Sequence, residues 1–295
     1  MSGLSWPGDL LRPLVAVGLG AARAIPIVWM VPAFGGRDLP AAVRLGLGVL
    51  LASLVLPRLL GGPGSMGVVG VMGVGAGAGP PSAGLLGWSL LALREVLVGA
   101  TLGLVVSFAF RAAEAAGGLV DVARGANLAE VLAPGSGART SPLGALYLLA
   151  AVVIFLELGG LGRLAAALAR SYDAVPLGAG LFEAPGAASA GLRSGNPPSL
   201  MPLLSLIVAA SATLIESAVG LAAPALVALL LADLALGAVA RIAPATPVHF
   251  AAMPLKALLG LGMVLLGLGA LDAALATGFP AWLRLAEAAA ARWSR

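Results

Sequence analysis

The side chains capable of acid–base or binding chemistry are a few carboxylates and cations set inside long apolar segments. One such segment begins near residue 85 and stays compatible with a helix to about residue 121. At about 100° per residue, its acids Glu95, Glu114 and Asp121 fall within about 100° of one another. The same face carries Gly99, Gly103, Phe110 and Gly117, with Ser107 and Gly118 just beside it. Because carboxylates are costly in lipid and small residues let helices approach closely, this stripe predicts a surface that faces protein or water.

A second apolar segment repeats this design. Ser205, Ala209, Ala212, Glu216 and Gly220 share one helical face between residues 200 and 242, with Asp233 and the terminal Arg241 farther along. Lys256 and Gly260 share a face of the next segment, and Lys256 with Asp233 forms a candidate ion pair between neighbouring helices. For any single charge, two interpretations stay open: it locks helix packing, or it faces a passage.

The chain shows no pattern of a catalyst. It has no phosphate-binding loop of Walker type, no HExxH and no GxSxG, and its acids and hydroxyls are too dispersed to nominate a nucleophile and a base. With no cysteine and only His249, to which no role is assigned, a metal site or a cofactor is not expected. The basic residues are scattered, so nucleic-acid binding is not expected either.

Composition places the chain in a membrane. Of its 295 residues 60% are hydrophobic and 10% are charged, against roughly 25% charged in soluble domains. An apolar run interrupted by Pro13, Arg23 and Pro26 at the N-terminus does not predict a cleavable signal. The predicted fold is all-α, a multi-span helical membrane protein of about six transmembrane or membrane-embedded helices.

Six segments have the required length and composition. They cover residues 10–31, 40–56, 85–121, 143–158, 200–242 and 254–275, with an Ala-rich helix after Gly159 and Gly160. Residues 200–242 are predicted as one long helix kinked at Pro224, since a turn inside lipid would leave backbone groups unpaired; two spans remain the alternative. Residues 1–295 are predicted as one domain, and the basic tail 277–295 as an interfacial helix whose arginines favour a cytoplasmic C-terminus.

The segment 124–144, RGANLAEVLAPGSGARTSPLG, lies between two apolar helices and resembles the SctT/FliR family, the export-apparatus subunits of type III secretion systems and flagella. Similar stretches follow the family order: FGGRDLPAAVRLGLGVLLA at 34–52, REVLVGATLG at 94–103, ADLALGAVARIAP at 232–244 and MPLKALLG at 253–260. The details at 124–126, 141–144 and 253–256 favour the injectisome branch. Ala133 before Pro134, and Ala245 to Pro247, depart from the family pattern.

The resemblance implies a subunit of an export gate in the bacterial inner membrane. Such proteins join SctR-, SctS- and SctU-like subunits around a channel through which unfolded secreted proteins pass, and they are not enzymes. It further implies that the loop 125–142 faces the channel as part of a plug, and glycine-rich composition suits a loop with a closed and an open form. The candidate residues of this loop and its flank are Arg124, Gly125, Asn127, Glu130, Pro134, Gly135, Gly137, Arg139, Ser141 and Pro142. An ordinary connecting loop is the alternative.

Three other functions are compatible with a multi-span chain. A small-molecule permease would need a site between repeats with broken helices, and no repeat is visible. An intramembrane enzyme would need a reactive cluster. A flagellar export subunit would share the fold and mechanism of the injectisome subunit and serve a different machine.

Overall fold

A computed structural model describes residues 8–35, 39–61, 84–126, 141–175, 201–242 and 248–292. Every regular element in these ranges is a helix, which confirms the all-α prediction. In chain order they are α1 (Gly8–Met30), a short 3-10 turn (Pro32–Phe34), α2 (Ala41–Gly61), α3 (Gly84–Ala123), α4 (Pro142–Glu157), α5 (Gly160–Ala174), α6 (Met201–Ile242) and α7 (Val248–Arg292).

Three helices in the described ranges are long and apolar enough to cross a membrane. They are Ser89–Ala123 of α3, Leu204–Ile242 of α6 and Ala252–Ala289 of α7. The helices α4 and α5, which are separated by a bend at Leu158 and Gly159, would add a fourth if they form one broken span. Two shorter apolar helices, Val17–Met30 and Ala41–Val55, bring the number of membrane-compatible helical segments to the predicted six. The chain is therefore a multi-pass membrane protein.

Residues 201–242 form one uninterrupted helix, α6, with Pro224 inside it. The prediction of a single long helix over this segment is confirmed. At 1.5 Å per residue, the 42 residues of α6 extend over about 63 Å, roughly twice the hydrocarbon thickness. Part of α6 must therefore lie outside the lipid core or be covered by other protein.

The last helix is longer than expected. The sequence indicated a span ending near residue 275 and a separate tail helix, whereas α7 continues through Pro280 to Arg292. A helix tolerates an internal proline where surrounding structure satisfies the freed backbone group. Beyond Pro280 the side chains of Trp282, Leu283 and Ala286 are buried, so packing holds this segment helical.

The described helices fall into two compact units. The first comprises Met1–Ser107, Gly159–Ala209 and Ala281–Arg295, and the second comprises Phe108–Leu158 and Ala210–Pro280. In the first unit, α2 contacts α1 and α5, and α3 lies against α1. Its core contains Ile27, Val98, Leu102, Leu168 and Tyr172, each at most 2% exposed.

The second unit is built around a triangle of aromatic rings. Phe110 of α3, Phe155 of α4 and Phe279 of α7 lie with ring centroids 5.1–5.2 Å apart. All three side chains are at most 2% exposed. Tilted and edge-on ring pairs at this separation are favourable, so this triangle joins α3, α4 and α7.

Candidate functional site

The first group of polar residues is built on Arg23, which is 0% exposed in the middle of α1. Its Nε donates to Glu95 Oε2 at 2.7 Å, and Nη2 forms an ion pair with the same oxygen at 2.5 Å. The same guanidinium donates to Ser171 Oγ at 3.1 Å and to the carbonyl of Val175 at 3.0 Å. Its Cζ lies 4.1 Å from the ring centroid of Tyr172. Arg23, Glu95, Ser171, Tyr172 and the Val175 carbonyl are called the Arg23 cluster below.

This cluster connects α1, α3 and α5 at a position that is buried from solvent. Tyr172 donates its hydroxyl to the carbonyl of Gly20 at 3.2 Å, a second link from α5 to α1. The described hydrogen bond and ion pair from Arg23 both reach Oε2 of Glu95, and Oε1 is buried without a hydrogen-bond donor among the described residues. A buried ion pair is stable only when geometry and further hydrogen bonds compensate its desolvation. Arg23 has hydrogen-bond acceptors in Glu95, Ser171 and the Val175 carbonyl, whereas Glu95 leaves Oε1 without a described donor. The desolvation of Arg23 is therefore better compensated than that of Glu95.

The small residues predicted on α3 lie where this helix meets α1. A Cβ atom on Gly99 would overlap the carbonyl oxygen of Arg23, and one on Gly103 would lie 3.0 Å from the Cα of Ile27. Ser107 is 5% exposed and donates to the carbonyl of Leu104. The opposite face carries exposed Leu93, Val96 and Leu97. In the first unit, Gly99 and Gly103 of the predicted stripe therefore pack against α1, and Ser107 is buried.

A second polar group lies where α3 ends and α4 begins. Asp121 Oδ1 accepts from Arg124 Nε at 2.6 Å and pairs with Nη2 at 2.5 Å. Asp121 Oδ2 accepts from the backbone N–H of Leu143 at 2.9 Å and from the hydroxyl of Ser141. The Asp121 side chain is 1% exposed. Asp121, Arg124, Ser141 and the N–H of Leu143 are called the Asp121 cluster below.

Local sequence explains both helix ends that meet here. Gly125 has φ 81°, the left-handed conformation that glycine adopts without strain. The N–H of Ala126 donates to the Asp121 carbonyl at 3.0 Å and that of Gly125 to the Val122 carbonyl at 3.1 Å, which together form a Schellman motif. Ser141 caps the other helix by accepting from the N–H of Gly144, with Pro142 in the first turn.

The remaining predicted charges are more exposed. Arg111 pairs with Glu114 one turn along α3 at 2.6 Å, with side chains 51% and 40% exposed. Lys256 of α7 pairs with Asp233 of α6, so the structure brings the two ends of the candidate interhelical pair together. Glu216 is exposed on α6.

The face of α6 that carries Glu216 is open. Ser205, Ala209, Ala212 and Gly220 are exposed with it. Only 17% of the apolar α6 segment and 22% of the α7 segment is buried, against 61% for α3. A carboxylate such as Glu216 is costly against lipid, so this face requires water or another protein.

Most of the predicted plug loop lies outside the described residues. Asn127, Glu130, Pro134, Gly135, Gly137 and Arg139 belong to that part of the chain. The described ends of the loop are Arg124 to Ala126 on one side and Ser141 with Pro142 on the other. The Asp121 cluster brings these two ends together.

Sequence reasoning missed Arg23 as a functional partner. An arginine inside an apolar segment is itself a signal, since intramembrane charges nearly always have a partner. Which partner is not visible, because Glu95 lies 72 positions away. The pairing of Asp121 with Ser141, 20 positions apart, was likewise not foreseen, although both residues were singled out.

The described residues show no reactive constellation. They contain no group of three or more His, Cys, Asp or Glu side chains that could hold a metal ion. A cavity of about 220 Å³ lies between α4, α6 and α7 beside Pro224, and Tyr147 is the polar side chain among its lining residues. The Arg23 cluster, the Asp121 cluster and the pair of Lys256 and Asp233 connect helices, which suits a structural component of a larger assembly.

Comparison with known proteins identifies the family. The family model described as bacterial export proteins, family 1, matches residues 14–280. The chain is 32% identical over 167 residues to Yop proteins translocation protein T of Yersinia pestis, covering 57% of this chain and 58% of that protein. It is 28% identical over 232 residues to the surface presentation of antigens protein SpaR of Salmonella typhimurium, covering 78% and 74%.

A flagellar relative matches over a longer stretch. The chain is 27% identical over 266 residues to the flagellar biosynthetic protein FliR of Pectobacterium carotovorum, covering 90% of this chain and 85% of that protein. The match to the Yersinia relative spans less than two thirds of that relative's length. The family match covers nearly the whole chain, in agreement with the five motifs read from the sequence, so this protein belongs to the bacterial export proteins, family 1, the SctT/FliR family of type III export apparatus proteins.

Proposed function

We propose that this chain is an export-apparatus subunit of a type III secretion system in the bacterial inner membrane. The observation that carries the proposal is the family match over residues 14–280 in a chain with three membrane-length apolar helices. In this role the protein is not an enzyme. It forms part of the wall of a passage for unfolded secreted proteins, together with SctR-, SctS- and SctU-like subunits.

Exposed polar residues support a role within an assembly. Glu216 lies on an exposed face of α6, and the Asp233 side chain is 45% exposed although it pairs with Lys256. A lone subunit would present these carboxylates to lipid, where charged groups are strongly disfavoured. Neighbouring subunits or a water-filled passage would remove that penalty.

The loop 125–142 is the proposed plug of the passage. Irregular backbone at membrane depth is tolerated where it is buried in protein or lines a water-filled space. The Asp121 cluster joins the two ends of this loop and would fix where the loop leaves and returns to the helices. The proposed channel-facing role rests on family resemblance together with this geometry.

The injectisome branch is proposed over the flagellar branch. The motifs at 124–126, 141–144 and 253–256 favour it, and identity is higher with translocation protein T, at 32%, than with FliR, at 27%. The FliR match covers more of both chains, so the flagellar export subunit is the second candidate.

Deleting the gene in its own bacterium tests both candidates. The deletion strain should stop releasing secreted effector proteins while its swimming motility stays intact, and a plasmid copy should restore secretion. Loss of swimming with normal effector secretion would assign the chain to the flagellar machine. Normal secretion and normal swimming would contradict an export function.

A further inference from the structure

Arg44, in the first turn of α2, has no anionic partner among the described residues. Its Nε is buried there without a hydrogen-bond partner. The described ion pairs all involve other cations. A cation inside an apolar helix is costly and nearly always meets a partner. The acceptor for Arg44 must therefore come from outside the described part of the chain.

Trp29 of α1 holds the Arg44 guanidinium from one side. The Cζ of Arg44 lies 5.2 Å from the centroid of the Trp29 ring, which is within the range of a cation–π interaction. Trp29 is 52% exposed, and Arg44 is partly exposed. The contact thus fixes the orientation of the guanidinium and leaves both side chains accessible to a ligand from outside the chain.

Both side chains stand at the same end of a helical hairpin. A Cβ atom on Gly48 would lie 3.2 Å from the Cα of Ile25, so α1 and α2 pack antiparallel with Trp29 and Arg44 near the connecting turn. The 21 residues of α2 extend over about 32 Å, close to the roughly 30 Å of a hydrocarbon core. The first turn of α2 therefore lies near one edge of that core, where tryptophan is enriched in membrane proteins.

The exposed surface of α2 beyond this turn suits lipid chains. Val43, Leu50 and Leu54 share one helical face and are exposed. Lipid tails are as apolar as leucine, so such a face is stable against them. A phospholipid whose chains lie along this face brings its phosphate to the level of Arg44.

We propose that Arg44 and Trp29 form a binding site for the phosphate of an anionic phospholipid. The guanidinium presents its N–H donors in a plane that matches phosphate oxygens, and Trp29 orients that plane. The first turn of α2 contains no acidic residue, so a headgroup of net negative charge is favoured. The site fixes one end of the hairpin of α1 and α2 at the bilayer surface. It depends on the membrane placement of this hairpin and not on the export role.

Binding of phosphatidylglycerol, an anionic phospholipid, tests this site. The full-length subunit is purified in detergent as wild type, Arg44→Gln, Arg44→Lys, Trp29→Leu and the control Arg111→Gln. Arg111 is exposed but already paired with Glu114, so its variant makes the same chemical change at an arginine that has its anion. Native mass spectrometry measures the affinity for phosphatidylglycerol and, in parallel, for zwitterionic phosphatidylcholine.

Arg44→Gln should weaken the tightest binding of phosphatidylglycerol by about fivefold, the contribution typical of one arginine near an anionic lipid surface. The affinity for phosphatidylcholine should change less. Arg44→Lys should retain part of the affinity, because the charge stays while the planar donor geometry is lost. Trp29→Leu should fall between wild type and Arg44→Gln, and Arg111→Gln should match wild type.

Three results would overturn the proposal. Unchanged phosphatidylglycerol affinity in Arg44→Gln would show that another acceptor, such as Asp38 outside the described residues, already satisfies Arg44. An equal loss of affinity for both lipids would show general damage to the hairpin. Displacement of phosphatidylglycerol by millimolar inorganic phosphate would assign the site to a free anion.

Thermal unfolding gives a second readout for variants that are purified in low yield. A ligand that binds only the folded protein raises the unfolding temperature, so phosphatidylglycerol should stabilise wild type more than Arg44→Gln. Equal stabilisation would contradict the site. The complex with neighbouring export subunits should retain the lipid. Loss of phosphatidylglycerol on assembly would instead assign Arg44 to an acidic group of a partner subunit.

Discussion

Arg23 and Glu95 carry opposite charges at a place where neither side chain reaches water. Removing one member leaves the other charged and buried, which costs about 3–5 kcal/mol in buried pairs. Replacing both by apolar residues of similar volume is often neutral or stabilising. Stability should therefore fall when one of the two residues is substituted, and should be largely kept when both are replaced by apolar residues.

Glu95→Ala should lower the free energy of unfolding of the subunit by about 3–5 kcal/mol, because Arg23 is left without its anionic partner. Thermal unfolding in detergent measures the change, and complex yield and secretion should fall with it. Arg23→Met combined with Glu95→Leu should recover most of the loss. The control Arg111→Gln alters an exposed pair, where the change is under about 1 kcal/mol. A Glu95→Leu subunit that unfolds, assembles and secretes as wild type would contradict the packing role.

Asp233 and Lys256 join α6 to α7 and are partly exposed. Lys256→Glu places two like charges together and should reduce accumulation of the subunit in the membrane. Asp233→Lys with Lys256→Asp restores an opposite pair and should recover part of that accumulation, measured by immunoblot at matched expression. A double variant no better than Lys256→Glu would show that the two charges act separately, for instance on different partner subunits.

At the scale of elements, the contact between α1 and α3 depends on the absence of a side chain at Gly99. Glycine to alanine inside a helix normally stabilises it by roughly 0.5–1 kcal/mol. Gly99→Ala should instead destabilise the subunit, since its Cβ overlaps the Arg23 carbonyl, and the neighbour is backbone that cannot rotate away.

The matched control is Gly46→Ala on α2, which meets no atom within 4 Å. Gly46→Ala should leave the unfolding temperature unchanged or raise it, while Gly99→Ala lowers it. Both variants are compared in the same detergent. Equal effects of the two substitutions would mean that α1 and α3 do not approach each other as closely as the structure shows.

The proposed plug loop can be shortened without touching either helix. Deleting residues 133–138 should preserve membrane insertion and complex formation, because loop length changes folding free energy only slightly when the ends still meet. The Asp121 cluster lies outside the deletion and keeps the ends together. Cells with the assembled variant should leak ions or small dyes at equal complex abundance. Full assembly with normal export and no added leak would make the loop a simple connector.

At the scale of the whole molecule, the described surface combines large exposed apolar side chains with exposed carboxylates on the same helices. Neither lipid nor water alone suits such a surface in a lone subunit. Leu266 is 83% exposed and Ile242 85% exposed, and Glu216 lies exposed on the same apolar helix as Ile242. Lipid suits the leucine and isoleucine and not the carboxylate. Contact of part of this surface with other subunits would remove the free-energy cost of exposing the carboxylate to lipid.

Co-expression with SctR-like and SctS-like proteins from the same bacterium should therefore give one complex that survives detergent purification. Size-exclusion chromatography with light scattering measures its mass. Glu216→Leu should still insert but should change the yield of the complex, because it alters the open face of α6. A stable, monodisperse monomer that never associates with these proteins would contradict the subunit role.

Local sequence signals determined where several helices begin and end. Gly125 terminates α3, and Ser141 with Pro142 begins α4, because these residues favour the required backbone conformations regardless of distant contacts. The absence of polar turn residues kept α6 continuous. The membrane class and the family also follow from the sequence, since apolar composition and ordered motifs are properties of the chain itself.

Tertiary structure alone decided which partners the buried charges Arg23, Glu95 and Asp121 have, whereas the pair of Asp233 and Lys256 was already a candidate from the sequence. The sequence shows that Arg23, Glu95 and Asp121 cannot face lipid cheaply, but it does not say which residue each one contacts. Glu95 pairs with Arg23 across 72 positions, and the Asp121 cluster joins the two ends of one loop. The continuation of α7 to Arg292 likewise depends on burial of Trp282 and Leu283. Burying a charge is a local requirement, whereas the partner that satisfies it is set by how the helices pack.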